Sequence, residues 1–337
     1  MKALLSIDPG GPETLVIQEV PSPVAGPDDL LVRIKACAIN FPDVLIIEDK
    51  YQYKPPRPFS PGCEFAGIVE AVGANVQGWR VGDRVIGSAV NGGLAEQIAI
   101  PAHAAFHLPD ARGFEEGAAL ITTYGTAIHG LVDRGHIKRG DRLLVLGAAG
   151  GVGMAAVELG KALGAHVIGA VSTAEKAAAV RAVGADEVLV YPRAPFDRDQ
   201  SRALADGFKS AIGGDGANIV YDVIGGDYSE PALRAIAWEG RYLVVGFPAG
   251  IARLPLNLIL LKSCDVCGVF LGAFVTREPE AHRRNVAELF ALWDAGKIKP
   301  LVTATYPFER GGEAIAALGA RQAIGKLVVT IDRNAGS

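Results

Sequence analysis

Hydrophobic and polar residues follow two different patterns along this chain. Residues 31–36 alternate apolar and charged side chains, as expected for a β-strand with one buried face. Further short apolar segments, separated by glycine-containing turns, lie at 68–72, 84–86 and 97–100. This run of short strands in the first third of the chain predicts a compact, barrel-like β unit.

A second pattern begins at about Thr122, where fully apolar segments alternate with helical ones. Such alternation is typical of a parallel sheet covered by helices on both faces. Residues 143–146 predict the first strand of this sheet, and residues 152–163 predict the helix after it. Gly164 is then placed to end that helix in the left-handed conformation.

The alternation continues through the middle of the chain. A strand is predicted at 166–171, and Ser172 with Glu175 forms a capping-box pattern that opens the next helix. Further strands are predicted at 187–190, 219–223 and 241–245. The fold class is therefore α/β, with a doubly wound parallel sheet after the barrel-like unit.

The last part of the chain combines a strand-like segment at 266–270, a helix at 280–295 and two β segments. The helix carries apolar residues at helical spacing: Val286, Leu289, Phe290 and Trp293. The β segments lie at 303–307 and 326–331, and we expect them to return to the first domain. The predicted domains are a barrel-like β domain at 1–121, a doubly wound domain at 122–264, and a return to the first domain at 265–337.

Composition narrows the class of protein. Half of the 337 residues are apolar, and 33 basic against 37 acidic residues give a net charge of −4. This balance supports large packed cores and makes a nucleic-acid partner a poor expectation. No apolar run reaches the ~18 residues of a membrane span, the first residues do not resemble a secretory peptide, and four cysteines suit a reducing compartment. We therefore expect a cytoplasmic protein with no membrane partner.

The sharpest local signal is the glycine-rich segment between the strand at 143–146 and its helix. Gly150 and Gly153 occupy the second and third glycine positions of G-x-G-x-x-G, and Ala148 stands at the first. Glycines let the backbone approach a pyrophosphate, whose charge the helix N-terminus stabilises. We predict dinucleotide contacts from residues of this turn, namely Ala148, Ala149, Gly150, Gly151, Val152 and Gly153.

The end of the second strand indicates which dinucleotide binds. NAD enzymes place an acid there for the ribose hydroxyls, whereas this chain has Ser172. Lys176 and Tyr191 would add a cation and a second hydroxyl for a 2′-phosphate. NADPH is therefore the predicted cofactor, although Lys176 taken alone is equally well explained as a solvated helix lysine.

Several ordered motifs, together with this turn, resemble those of one superfamily. They are 40–43 (Asn-Phe-Pro-Asp), 61–67 (Pro-Gly-Cys-Glu-Phe-Ala-Gly), 81–85 (Val-Gly-Asp-Arg-Val) and 141–153. With them the whole chain resembles the medium-chain dehydrogenase/reductase superfamily, and residues 148–153 and 171–173 resemble its zeta-crystallin-like NADPH:quinone oxidoreductases. The resemblance implies a GroES-like catalytic domain, an inserted Rossmann domain, a homodimer paired through the Rossmann sheets, and a nicotinamide held in the cleft between the domains.

The superfamily that this chain resembles also contains zinc enzymes, and zinc requires thiolate, imidazole and a further side chain that converge on one ion. This chain has Asn40 where the zinc enzymes carry their first cysteine and Cys63 where they carry a histidine, and it has no cysteine at 120–124. The Cys264 and Cys267 pair lacks further ligands nearby. We therefore expect no metal.

Without a Lewis acid, the acceptor of the hydride must already be electrophilic, as quinones and α,β-unsaturated carbonyls are. By motif position, the donors expected near the nicotinamide are Asn40, Tyr51 and Thr126. The spacing of Tyr51 from Asn40 resembles that of a tyrosine in related enoyl-thioester reductases, which implies a proton donor or an orienting group. The alternatives are a turn amide for Asn40 and a packing tyrosine for Tyr51.

The resemblance also implies less specific contacts with the nicotinamide and the rest of the cofactor. These fall on Gly246, Phe247, Val269, Phe270, Leu271 and Lys326. Quinone reductases of this type commonly carry tyrosine, arginine and glycine where this chain has Leu45, Ile47 and Asp49. That difference predicts a more apolar pocket and leaves the substrate open.

The sequence therefore predicts a zinc-independent, NADPH-dependent oxidoreductase that transfers hydride to a quinone as its small-molecule substrate. One alternative is a reductase of α,β-unsaturated carbonyls or enoyl thioesters. A non-catalytic NADPH-binding relative is the third.

Overall fold

A computed structural model describes residues 1–321 and 323–331. Within them the strands are β1 (Lys2–Leu5), β2 (Val16–Glu19), β3 (Asp29–Ala38), β4 (Glu64–Val72), β5 (Arg84–Ser88), β6 (Gln97–Pro101), β7 (Ala105–His107), β8 (Arg142–Leu146), β9 (His166–Val171), β10 (Glu187–Val190), β11 (Ala217–Asp222), β12 (Ile236–Val244), β13 (Asp265–Gly268), β14 (Val302–Pro307) and β15 (Lys326–Thr330).

The α-helices described are α1 (Phe41–Ile47), α2 (Phe114–Ala118), α3 (Ile121–Ile128), α4 (Gly151–Ala162), α5 (Ala174–Ala182), α6 (Arg198–Ile212), α7 (Ser229–Arg234), α8 (Leu256–Lys262), α9 (Leu271–Arg277), α10 (Pro279–Asp294) and α11 (Gly311–Gly319). A π-helical segment follows α3 at His129–Arg134. Single 3₁₀ turns lie at Pro12–Thr14, Ala102–Ala104, Gly226–Tyr228 and Phe308–Arg310. No helix among the described residues combines the length and the apolar character that a membrane crossing needs.

The chain forms two compact units, one of residues 1–122 with 300 onward and one of residues 123–299. In the first unit a seven-stranded sheet has the order β14-β15-β3-β4-β5-β7, with β6 paired to β3. The alternation predicted for the first strand is confirmed, because Leu30, Val32 and Ile34 of β3 are buried in the core of this unit. The last described strand also belongs to this unit, since β15 pairs antiparallel with β3.

The second unit contains a six-stranded parallel sheet in the order β10-β9-β8-β11-β12-β13. Strand order reverses between β8 and β11, so the crevice at the carboxyl ends of these two strands is the place where such sheets bind ligands. Residues 143–146 of β8 are completely buried, as their uninterrupted apolar sequence predicts for a sheet covered on both faces. The α/β fold class is confirmed.

Two details of the predicted organisation are wrong. The chain returns to the first unit at Pro300 and not at 265, because β13 hydrogen-bonds to β12 of the parallel sheet and α10 packs with the second unit. The N-cap of α5 is Thr173 and not Ser172, because the Thr173 hydroxyl accepts the Lys176 backbone N–H at 3.2 Å. Ser172 consequently lies one residue outside the cap and is exposed.

Candidate active site

The glycine turn lies between β8 and α4, as predicted. Gly147 adopts a φ of +70°, in the left-handed region that favours glycine. A Cβ on Gly153 would lie well inside 3.0 Å of the Gly147 carbonyl oxygen, so only glycine lets the helix start so close to the strand. Gly150 is the N-cap of α4 and has room for a Cβ, whose nearest neighbour would be 3.7 Å away. The first backbone N–H groups of α4 therefore lie at this turn, and they have no acceptor within the helix.

The residues predicted to bind a 2′-phosphate follow β9 and β10. Ser172 is exposed directly after β9, and Lys176 is half-buried in the first turn of α5. Burial lowers the pKa of Lys176 below its ordinary value, while nearby Glu175 opposes that shift. Tyr191 follows β10 and is largely buried, with its ring 4.7 Å from that of Tyr228. No acidic side chain occupies the position directly after β9.

The other residues predicted in the second unit lie at several different elements. Thr126 is on α3, Gly246 follows β12, and Phe247 is exposed. Val269 is buried next to the end of β13, whereas Phe270 is exposed and is the N-cap of α9. Leu271 is the first residue of that helix, and its Cδ2 would lie 3.5 Å from a Cβ on Gly125.

Asp222, the last residue of β11, organises the loop beside the strand-order reversal and was not predicted. Its Oδ1 accepts the backbone N–H groups of Ile224 and Gly225, both at 2.9 Å. Its Oδ2 accepts the hydroxyls of Ser229 at 2.6 Å and Tyr242 at 2.7 Å. With four donors this buried carboxylate is well satisfied, and it links the loop after β11 to Ser229 and Tyr242.

In the first unit, Asn40 and Lys326 belong to a buried polar network centred on Glu64. The Asn40 amide donates from Nδ2 to Glu64 Oε1 at 2.9 Å, with longer contacts to the Ala38 carbonyl and to Cys63 Sγ. The Lys326 ammonium donates to Glu64 Oε1 and Asn40 Oδ1, each at 2.7 Å, and to the Ile39 carbonyl at 3.1 Å. Glu64 was missed by the sequence analysis.

This geometry changes the roles expected of Asn40 and Lys326. Both hydrogens of the Asn40 amide point to protein acceptors, so the amide has no hydrogen left for a substrate carbonyl. The three ammonium hydrogens of Lys326 also match three protein acceptors, which leaves none for the expected contact with a cofactor. Lys326 instead contacts the Asn40 side chain through its Oδ1 atom.

Asp43 holds the loop of Cys63 against the start of α1. Its side chain accepts the Asn40 N–H at 2.8 Å and the Gly62 N–H at 2.9 Å. Burial raises the pKa of Asp43 to about 6, with these two hydrogen bonds and the Lys326 charge opposing the shift. The pKa of the Cys63 thiol is raised by burial and by the carboxylates of Asp43 and Glu64, which favours the protonated thiol.

Tyr51 follows α1 and packs, partly buried, against the hydrophobic core of the first unit. Its pKa is raised by burial and then by the proximity of Cys63 and Asp43. A tyrosine with a raised pKa stays protonated at neutral pH and can donate a hydrogen bond. The structure therefore brings Tyr51 into the neighbourhood of the Asn40 network, while Thr126 belongs to the second unit.

The three positions at which zinc ligands are not expected also meet in this network. Asn40 and Cys63 are in contact, and the Thr122 side chain bonds the Cys63 sulfur. Within the described ranges 1–321 and 323–331, no three His, Cys, Asp or Glu side chains form a group suited to hold a metal ion. The positive charge found between Asn40 and Glu64 is the Lys326 ammonium.

Comparison with known proteins identifies two matching family models. Residues 26–110 match the alcohol dehydrogenase GroES-like domain, and residues 151–289 match the zinc-binding dehydrogenase domain. A quinone oxidoreductase-like protein 2 homolog of Nematostella vectensis is 36% identical over 90% of this chain and 82% of its own length.

Solved structures show the same similarity over nearly the whole chain. The Escherichia coli quinone oxidoreductase complexed with NADPH is 31% identical, with a TM-score of 0.88 over 98% of this chain and all of the other. The CurK enoyl reductase is 25% identical, with a TM-score of 0.86 over 98% of this chain and 99% of the other.

Proposed function

The chain belongs to the quinone oxidoreductase-like family of the medium-chain dehydrogenase/reductase superfamily, and from this premise we propose that it is a zinc-independent, NADPH-dependent reductase of quinones. That it is an oxidoreductase follows from its family, whereas the quinone acceptor is the proposal. The observation that carries the choice of NADPH is the acid-free end of β9 next to the glycine turn, because an acid there would repel a 2′-phosphate. The quinone acceptor is supported by the similar proteins that are named quinone oxidoreductases.

The glycine turn of the second unit fits a dinucleotide. Gly153 lets α4 begin against β8, and Gly150 leaves its Cβ position open at the helix N-terminus. Backbone N–H groups and the helix dipole at that point suit a pyrophosphate. Ser172 and Lys176 would then hold the 2′-phosphate, since one is exposed and the other lies in the next helical turn. NADPH bound there supplies a hydride.

The residues of the first unit would act on the acceptor by hydrogen bonding. Tyr51 is the donor we propose in this unit, because the Asn40 hydrogens are already used and the raised pKa of Tyr51 keeps its hydroxyl protonated. A hydrogen bond donated by the Tyr51 hydroxyl to the oxygen of the substrate would stabilise the charge that develops there. The Oδ1 atom of Asn40 could accept one more hydrogen bond besides that from Lys326. Lys326 and Glu64 hold the Asn40 side chain in a fixed orientation.

The test is a comparison of cofactors and acceptors. The dissociation constants of NADPH and NADH are measured by fluorescence titration, and turnover is then followed with phenanthrenequinone, a simple enone and crotonyl-CoA. The proposal expects tighter binding of NADPH and the fastest turnover with the quinone. Tighter binding of NADH, or cofactor binding without turnover of any acceptor, would contradict it.

Reduction of enoyl thioesters is the second candidate, favoured by the similarity to the CurK enoyl reductase and by the place of Tyr51. Enoyl reduction needs a proton at carbon after the hydride arrives, and a protonated tyrosine can deliver it. Faster turnover of crotonyl-CoA than of quinone would establish this candidate in place of the first.

A second copy of the chain is the partner we propose. Strand β13 is at the edge of the parallel sheet, and exposed apolar side chains lie on it and on neighbouring segments: Val266, Trp238, Leu256 and Leu260. An exposed sheet edge flanked by apolar side chains favours pairing with an identical edge. Light scattering of the purified protein tests this, with a dimer expected and a monomer contradicting it.

A further inference from the structure

The chain passes between its two units twice, between Thr122 and Thr123 and between Lys299 and Pro300. Within the second unit, the Glu158 carboxylate accepts hydrogen bonds from residues next to both of these connections. Glu158 accepts the hydroxyl hydrogen of Tyr124 through Oε2 and the backbone N–H of Lys299 through Oε1, at 3.2 Å. Tyr124 is only 2% exposed, so its ring cannot leave this position without opening the packing around it.

Glu158 lies on α4, the helix that begins at the glycine turn. The remaining described side chains of this helix are apolar apart from Lys161, so a partly buried carboxylate in the middle of it requires compensation. The two donors that compensate it both come from the ends of the second unit.

A second carboxylate bonds the first crossing on the side of the first unit. Glu64 Oε2 accepts the backbone N–H of Thr122 at 2.8 Å, while its Oε1 is the atom bonded by Lys326 and Asn40. Thr122 and Tyr124 are two residues apart. The short segment 122–124 is therefore fixed by Glu64 at one end and by Glu158 at the other.

From this arrangement we infer that Glu158 and Tyr124 are positioning residues for the reaction, which they support by holding the segment 122–124 and the Lys299 backbone so that Thr122 stays bonded to Glu64. The Glu64 carboxylate in turn orients the Asn40 amide and the Lys326 ammonium. This inference rests on the proposed function, because it gives the Asn40 network a part in that reaction. Neither Glu158 nor Tyr124 needs to contact cofactor or substrate.

The test uses the full-length protein with Glu158→Ala and Tyr124→Phe. Hydrogen exchange of the Thr122 and Lys299 amides is measured by NMR or by mass spectrometry with fragmentation to single residues. The Lys299 amide should exchange faster in Glu158→Ala because its acceptor is removed. The Thr122 amide should also exchange faster in both variants, by about tenfold or more, if release of the segment loosens its bond to Glu64.

Two functional measurements separate positioning from general destabilisation. Single-turnover hydride transfer should slow by about tenfold in both variants, since small misplacement of positioned groups costs that much or more. The affinity for 2′,5′-ADP, a probe of the adenosine end of the proposed dinucleotide site, should stay within about twofold because the turn at 147–153 is untouched. Glu158→Gln retains one acceptor oxygen and should recover part of the lost rate.

Asp186→Asn is the matched control. Asp186 accepts Lys161 Nζ of the same helix at 2.6 Å and the Val167 N–H at 2.7 Å, but it touches neither crossing. This variant should lower the melting temperature while leaving the turnover rate and the Thr122 amide unchanged.

Unchanged exchange of the Thr122 amide in Glu158→Ala would overturn the inference even in a protein without turnover. An active wild type whose variants keep its hydride-transfer rate, or lose rate and 2′,5′-ADP affinity equally, would overturn it as well. Absence of NADPH-dependent turnover in the wild type would refute the proposed function instead, so the two failures are distinguishable.

Discussion

The Lys326 ammonium lies 2.7 Å from Glu64 Oε1, although 262 residues separate the two along the chain. The topology of the sheet explains why Glu64 and Lys326 are in contact. Strands β4 and β15 both run antiparallel to β3, one on each side. Glu64 and Val328 both pair with Ala38, the last residue of β3, so Lys326 lies two residues beyond that pairing, level with the chain that leaves β3. Asn40 follows β3 by two residues and is therefore held between Glu64 and Lys326.

Removal of this buried cation should destabilise the first unit strongly. Lys326→Met leaves the Glu64 carboxylate buried without its counter-ion, a change that typically costs about 3 to 5 kcal/mol. Urea unfolding measures the loss. The double variant Lys326→Met with Glu64→Gln should recover much of it, because no uncompensated charge remains; strictly additive losses would show that the two charges do not interact.

Tyr51→Phe tests the proposed donor of the first unit. Loss of a proton donor should slow reduction of an enoyl substrate by about 10²-fold, with a smaller effect on quinone reduction. Tyr53→Phe is the matched control, because Tyr53 is two residues away and 48% exposed. Equal rates for wild type and Tyr51→Phe with both substrates would remove Tyr51 from the chemistry.

Two glycines of the turn should respond differently to alanine. Gly153→Ala places a Cβ against the Gly147 carbonyl and should cost about 1 to 3 kcal/mol of unfolding free energy. Gly150→Ala meets no close neighbour, so its melting temperature should be unchanged, yet its methyl group would occupy the space proposed for the pyrophosphate. We expect its NADPH dissociation constant to rise about tenfold or more, equivalent to about 1.4 kcal/mol. Unchanged NADPH affinity in Gly150→Ala would place the cofactor elsewhere.

Glu158 should make stability depend on pH. Burial raises its pKa from 4.5 to about 7 despite the hydrogen bonds from Tyr124 and Lys299. The folded state therefore binds a proton between these two values that the unfolded state does not, and the contribution of Glu158 to stability is full below pH 4.5 and is lost as the pH rises through 7. Glu158→Gln lacks this titration.

Urea unfolding at pH 5 and pH 8 checks the sign. Relative to wild type, Glu158→Gln should be more stable at pH 8 than at pH 5, by about 2 kcal/mol, since one pKa unit corresponds to about 1.4 kcal/mol. Replacement of the exposed Glu175 by glutamine serves as the control and should show no such difference. A difference of the opposite sign would mean that Glu158 is stabilised in its charged form.

Local patterns predicted the strands and the glycine turn because their causes are local. The apolar run at 143–146 and the glycines after it determine strand, turn and helix within about twenty residues. The Glu64 and Lys326 pair could not be predicted, since it depends on which strands flank β3. Glu158 was missed for the same reason, because its partners come from α3 and from the end of the second unit.

The same limit explains the two wrong details. Ser172 and Thr173 are both good N-cap residues, and only the backbone conformation decides which hydroxyl accepts the Lys176 N–H. The boundary predicted at 265 lies at 300 in the structure. The pairing of β13 with β12 depends on the whole sheet and cannot be deduced from the sequence of β13 alone. The expected donor role of Asn40 changed because its amide partners lie on two other strands.

The most direct test of the central claim is the rate of NADPH oxidation by phenanthrenequinone with protein that has been treated with a strong chelator and shown to be metal-free. A zinc-independent, NADPH-dependent reductase should keep its full rate and should turn over NADH much more slowly. Loss of the rate on chelation with recovery on addition of zinc, or a faster reaction with NADH, would contradict the account.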